Sequence, residues 1–324
     1  MEGPFLSLAE ASDQRWGHAS RTRYTSKIGT TLGCRSLMGV IRNDGLTLAV
    51  IASLGAPPSP PPKFWRKQML AGAASLTMTM TIPGIVTHQD HIIRTTPMKP
   101  YMASRAIWCA VRLADPVLVH GLAQRHNRYR KRSKPSARSA ILVAMSAVSG
   151  VRHSIWAVVI TKKPWPLWIS VPVSVANTWI NWLHCRASLE REDERADATG
   201  DDHAEPLGAL AAVGVACFVA GSYLESASEL QRLAFRAHPS NAGELCTVGL
   251  WSRAAHINYL GYVLWRTGIG MVSAPPWSLA YGAAHMLDFR LRAVPLLRRH
   301  MRERYGEVWE QYAAKTAVLV PGLL

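Results

Sequence analysis

The stretch Leu207 to Leu224, LGALAAVGVACFVAGSYL, carries no charged side chain, and nothing else in the sequence so narrows what the chain can fold into. A backbone that enters hydrocarbon must satisfy its own hydrogen bonds, so a run of this length and composition forms a helix. The run does not end cleanly. Continued past Leu224, the helix places Glu225, Glu229, Arg232 and Arg236 on one face at steps of four, three and four, with Ala227, Leu230 and Ala234 on the other. The plain account of that stripe is a solvated face in which Glu229 and Arg232 pair for about 0.2–0.5 kcal/mol. The functional account makes it one wall of a site for an anionic cofactor.

Other apolar runs point the same way. Gln68 to Val86 is uncharged and long enough to span a bilayer; Ala106 to Ala123 is a weaker candidate, interrupted by Arg112 and Asp115. Ala140 to Ile160 carries Arg152 and His153 near its middle, and a helix break at Gly150 would bring Arg152 to the membrane interface. Trp165 to Leu183 is rich in Trp and Pro. Gly268 to Ala284, broken by Pro275 and Pro276, suits a hairpin of two apolar segments, with Gly268 and Gly270 read as sites of close helix packing. These runs predict an all-α, polytopic membrane bundle of about six or seven membrane helices. The mean hydropathy of only +0.02 conceals them, because it averages apolar runs with charged connectors.

Three regions are expected: residues 1–44 as a disordered or targeting extension, 45–204 as N-terminal membrane helices with charged loops, and 205–324 as a C-terminal domain. The extension mixes Arg15, Arg21, Arg23, Lys27 and Arg35 with Ser, Thr and Gly. The Pro-rich stretch APPSPPPK, 56–63, cannot continue a helix. The segment Arg186 to Glu205 is dense in both charge signs and reads as a solvated loop or surface helix acting as a connector.

The formal net charge of +16 suits an anionic partner. Its basic clusters alternate with apolar runs, so no soluble basic domain of the nucleic-acid-binding kind is present. The strongest cluster, Arg125 to Arg138, is read as a topology signal for the cytoplasmic side. The five cysteines, Cys34, Cys109, Cys185, Cys217 and Cys246, show neither CxxC spacing nor an even count, so neither a zinc site nor a disulfide framework is expected. The localisation implied is an intracellular membrane such as the endoplasmic reticulum.

The chemistry-bearing residues gather in Gly249 to Trp265, GLWSRAAHINYLGYVLW, where Trp, Arg, His, Asn and Tyr stand at the head of an apolar run. Aromatic residues favour the membrane interface, so a belt with His256 and Asn258 as capping groups is the plain reading. A cofactor site is the functional one.

Three pieces then occur in order: Glu225-x3-Glu229-x-Gln231; GLW with His256-x-Asn258-Tyr259-x-Gly261; and Arg304-Tyr305-Gly306 with Trp309, Tyr312, Thr316 and Pro321. Together they resemble the C-terminal half of the steroid 5-alpha-reductase-like membrane reductases, over about residues 205–324. The resemblance implies NADPH held between the last helices and their loops, with Gln231, Arg236, Trp251, His256, Asn258, Tyr259, Arg304 and Tyr312 as cofactor contacts. Guanidinium groups suit its phosphates, and flat side chains suit its rings. Two positions depart from the family pattern. Ala255 stands where an arginine is usual, and Tyr262 where a carboxylate is usual. Tyr262 is then the candidate catalytic proton donor, since a phenol stays protonated at neutral pH.

The implied activity is NADPH-dependent hydride transfer to an activated carbon–carbon double bond of a sterol, steroid or other apolar lipid. Two other readings stay open. One is a methyltransferase of the isoprenylcysteine carboxyl type, which uses S-adenosylmethionine. The other is a catalytically silent membrane scaffold.

Overall fold

In the C-terminal half, two antiparallel helices approach so closely that only glycine fits between them. They belong to a computed structural model that describes residues 102–131, 135–161, 166–200, 207–273 and 277–322. The expected extension 1–44 and the candidate span Gln68–Val86 lie outside these residues.

The described chain is helical throughout, without a strand among the described residues. The helices are α1 (Met102–Tyr129), α2 (Ala137–Ile155, prolonged by a π-helical turn Trp156–Ile160), α3 (Leu167–Thr199), α4 (Ala209–Ala237) and α5 (Ile257–Ser273). They are followed by α6 (Trp277–Asp288, prolonged by a π turn Phe289–Ala293), α7 (Val294–Tyr305) and α8 (Glu307–Lys315).

The close pair is α4 and α5. A Cβ on Gly221 would lie 2.5 Å from the Gly261 carbonyl oxygen, one on Gly261 2.5 Å from the Glu225 nitrogen, and one on Gly214 2.8 Å from the Gly268 carbonyl oxygen. Gly214 and Gly221 are seven residues apart, as are Gly261 and Gly268, so each pair marks one stripe along its helix. Small residues that let backbones meet are a common basis of helix association in lipid. Above and below the stripe, Phe218 of α4 packs with Trp265, Ile269 and Val272 of α5 and with Leu142 and Met145 of α2.

Among the described residues, three helices are long and apolar enough to cross a membrane: α1, α2 with its π turn, and α4. Their outward faces are apolar as well. Val117 on α1, Val151 on α2 and Val219 on α4 are each at least half exposed, the pattern of a bundle whose solvent is lipid. This is the expected all-α membrane bundle. Within the described residues, α5 and α6 are only 17 and 12 residues long, and α3 is long but mixes Asn, His and charges into its interior face.

The charges expected to interrupt α1 do not break it. Arg112 and Asp115 pair with each other, both fully buried, and Asp115 also accepts from Asn181 Nδ2 at 3.0 Å and from the Thr178 hydroxyl. A paired, hydrogen-bonded ion couple is what an apolar interior tolerates. No break occurs at Gly150 either: α2 runs through it, because the absent side chain lets the Arg112 backbone pass against it. Arg152 therefore stays inside, bonded to Glu225 of α4 at 2.5 Å and stacked over Trp265 at 4.9 Å. The charged segment after Arg186 continues α3 as a helix to Thr199, ended by Gly200 at φ 66°. It is half sheltered rather than fully solvated, since Ser188, Leu189 and Ala196 are buried and Glu192 accepts from Ser136 at 2.6 Å.

If the glycine contact sets the helix spacing, Gly261→Ala costs about 1–3 kcal/mol through overpacking and lowers the apparent melting temperature of the detergent-solubilised protein. Gly121→Ala, on α1 with open space at its Cβ, raises it slightly, by about 0.4–1 kcal/mol of unfolded-state entropy. A melting series on the two variants reads both directions.

Candidate functional site

A cavity of about 190 Å³ opens where the charged end of α4, the Gly249–His256 segment, α7 and α8 converge. Each wall has a local reason to be there. Gln231 folds over Gly249, whose φ of 62° and missing Cβ leave room for the amide, and its Oε1 accepts the Leu250 N–H at 2.9 Å. This latch starts the 3-10 turn Gly249–Ser252, which drives Trp251 inward. There its indole donates to the Ser228 carbonyl at 2.8 Å and its ring lies 4.8 Å under the Arg232 guanidinium.

The next residues are held from the other end of the chain. Ala255 N–H donates to the Ala317 carbonyl at 2.8 Å and His256 N–H to Val318 at 3.0 Å, an isolated extended contact that ties the start of α5 to the segment after α8. The Tyr312 hydroxyl closes the ring by donating to the Trp251 carbonyl. Gly306, at φ 53°, turns the chain between α7 and α8 so that Leu297, His300, Met301 and Arg304 face the same cavity as Trp309 and Tyr312.

Six of the residues proposed from sequence line this cavity: Arg236, Trp251, His256, Asn258, Arg304 and Tyr312. Gln231 does not line it; it acts as the latch just described. Tyr259 lies behind His256, stacked between it at 5.6 Å and Phe289 at 4.5 Å. Tyr262 sits one turn further along α5, where its hydroxyl accepts from Arg266 Nε at 3.1 Å and its ring packs against Trp265, His285 and Phe289. The lining also holds Arg232, already visible in the α4 stripe, and His300 and Met301, which sequence reading passed over. Their signal was the spacing Leu297, His300, Met301, Arg304, one face of a helix otherwise dominated by arginines.

The electrostatics divide into spoken-for and available groups. Glu229, buried, is engaged on both oxygens, by Arg232 and by Asn258 Nδ2 at 3.0 Å. Arg236 and Arg304 have no ion-pair partner among the described residues. His256 is buried with its Nε2 atom lacking a hydrogen-bond partner. Burial first, and the Arg298 guanidinium second, push its pKa down to about 4, so it faces the cavity neutral near pH 7. Burial also raises the Tyr312 hydroxyl and the Cys246 thiol above their ordinary values, so both remain protonated. The cavity thus offers an aromatic floor, the neutral imidazole of His256 beside that of His300, and two guanidinium groups without an ion-pair partner among the described residues. It can hold a compact cofactor with a planar base and an anionic end. No group of three or more His, Cys, Asp or Glu positioned for a metal ion occurs among the described residues.

Fold and site together define a helical membrane protein with a basic and aromatic cavity beside its last helices. Residues 196–316, which contain every residue that lines that cavity, match the family described as "Protein of unknown function (DUF1295)". The chain is also similar to "Probable O-methyltransferase ustE" of Ustilaginoidea virens, 28% identical over 177 residues that make up 51% of this chain and 59% of that protein. The chain therefore spans less than two thirds of the length of this relative.

The depressed value of His256 has a stability consequence. Because its ordinary value is 6.5 and the folded value about 4, the neutral form stabilises the fold above 6.5, and that contribution is lost as pH falls toward 4. His256→Gln removes the titration. Its melting temperature, measured in detergent between pH 7 and pH 4.5, is expected to fall less steeply than that of the parent.

Proposed function

We propose that the chain is a membrane-embedded O-methyltransferase that uses S-adenosylmethionine. The observation that carries this reading is the composition of the cavity. Its buried part is aromatic and neutral, its cations stand on α4 and α7, and its nearest carboxylate, Glu229, is fully engaged. The methyltransferase name of the similar fungal protein supports the same choice.

The residues present fit that cofactor. Trp251, Trp309 and Tyr312 supply flat apolar surface for an adenine and for a sulfonium cation, which aromatic faces attract. Arg236 and Arg304 suit the amino-acid carboxylate. His256, neutral and with an open Nε2, can hydrogen-bond a ribose hydroxyl or the amino group. Bound there, S-adenosylmethionine supplies an electrophilic methyl group. The protein's own part is to fix the cofactor, exclude water and hold an acceptor oxygen in line.

A second reading is NADPH-dependent reduction of an activated double bond in an apolar lipid, with Tyr262 as proton donor. What favours it is the set of three arginines, Arg232, Arg236 and Arg304, which also suits phosphates, together with the motif resemblance. Against it, Tyr262 lies off the cavity and its hydroxyl is taken up by Arg266.

Calorimetric titration of the full-length protein in nanodiscs separates the two. S-adenosylmethionine is expected to bind, with Trp251→Ala weakening it about tenfold or more and Tyr262→Phe leaving it unchanged. Saturable NADPH binding with no heat from S-adenosylmethionine would overturn the methyltransferase assignment in favour of the reductase.

A further inference from the structure

Three guanidinium groups gather in the interior of the bundle, on α1, α2 and α5. Arg112 stands well inside α1, Arg152 well inside α2 and Arg266 at the middle of α5, and Arg112 and Arg266 are no more than 4% exposed. Arg112 feels the charge of both others, and all three act on His153. Arg152 and Arg266 also share the Trp265 ring, at 4.9 and 4.3 Å from its centre.

The opposite charges fall one short. Among the described residues, the carboxylates that reach these three arginines are Asp115, paired with Arg112, and Glu225, paired with Arg152 and bonded by the Trp265 indole. Glu225 also attracts Arg266, but one carboxylate does not neutralise two guanidinium groups. The hydrogen-bond partners of Arg266 are neutral: its Nε donates to the Tyr262 hydroxyl at 3.1 Å and its Nη2 to the Asn177 amide oxygen. His153 supplies no negative charge, since its Nδ1 accepts from Arg112 Nε at 3.3 Å as a neutral ring does. The faces of Trp265 and Tyr262 attract the cation, yet such contacts offset only part of the cost of an unneutralised charge away from water. Two donor atoms are left over as well. Arg152 Nε and Nη2 are buried without a hydrogen-bond partner, whereas buried donors are nearly always satisfied by protein, water or an ion.

We propose that this cluster binds a small inorganic monovalent anion of the chloride class, held by Arg152 Nε and Nη2 in the field of Arg112 and Arg266. One negative charge brings the sum of three guanidinium groups and two carboxylates to zero, and the unpartnered N–H groups are the contacts a halide accepts. The neighbouring side chains select for size. Trp265 packs edge-on against both His153, at 5.5 Å, and Tyr262, at 5.2 Å, so an ion of one atom suits the cluster better than an organic acid. With Arg112 on α1, Arg152 on α2, Asn177 on α3 and Arg266 on α5, the anion acts as a tie among four helices. Glu225, which it relieves of serving two cations, stands one turn from the Glu229 that holds Arg232 and Asn258 at the first cavity. The proposal does not depend on which cofactor that cavity takes.

Thermal unfolding of the full-length protein in nanodiscs of zwitterionic phosphatidylcholine tests this, in sodium chloride and in sodium gluconate at equal ionic strength. Chloride is expected to raise the melting temperature saturably, by about 2–4 °C at roughly tenfold excess over its dissociation constant. Bromide is expected to act likewise, and the larger gluconate to have no such effect. Asn177→Asp sets a carboxylate against Arg266 and so supplies the missing charge from within the chain. It is expected to melt in gluconate as high as the parent does in chloride, and to lose the chloride response. Arg266→Gln, which removes the excess cation, is expected to lose the response too; should it fail to fold, Asn177→Asp still decides. Equal melting of the parent in both salts would overturn the proposal. So would a chloride response that survives Asn177→Asp, because the ion would then sit elsewhere, at the cavity arginines or on the surface.

Discussion

The glycine contact between α4 and α5 is the interaction on which the rest of the structure depends. With no side chains between them, the two backbones come near enough for groups on one helix to bond those on the other. Trp265 donates to Glu225 at 2.6 Å, and Asn258 to Glu229 at 3.0 Å. These are the two carboxylates of the α4 stripe, and each is then shared with an arginine, Arg152 or Arg232. A carboxylate in a low-dielectric setting is costly unless paired and hydrogen-bonded, and both are. A Cβ on either face would separate the helices and leave those carboxylates half satisfied, so packing and electrostatics fail together.

From that contact outward the site is assembled by short-range ties of separate origin. The Gln231 latch and the Trp251 indole fasten the loop to α4, the Ala255–Ala317 contact fastens it to the C-terminal segment, and Tyr312 bonds across the top. Most of these involve backbone atoms, so other polar side chains, among them His256, Arg236, His300 and Arg304, are left facing the cavity. Structural polar groups are thereby separated from those that border open space. It also explains why Gln231 and Tyr259, polar and central in the motif, lie outside the cavity: one is spent on the backbone and the other on stacking behind His256.

Much of the fold was legible because its causes are local. An uncharged run such as Leu207–Leu224 has few options, and the steps Glu225, Glu229, Arg232, Arg236 follow from helix geometry alone. Arg112, Asp115 and Arg152 were harder. A charge inside an apolar run reads as an interruption until its partner is known, and Asn181, Thr178 and Glu225 stand more than sixty residues away. The site was legible in the same uneven way: motif spacing picked out His256, Asn258 and Arg304, while His300 and Met301 emerged only when α7 turned that face inward at Gly306.

The sequence by itself determined that this chain is a helical membrane protein with a charged helix end and an aromatic, histidine-bearing segment beside it. Those properties depend on neighbours in sequence and on the cost of exposing a backbone to hydrocarbon. Only the tertiary structure decided which charges are paired and which are available, and that Tyr262 points at Arg266 rather than into the cavity. Those are matters of distance between segments far apart in the chain. They are set by how closely helices can pack, which is why four glycines govern so much of the outcome.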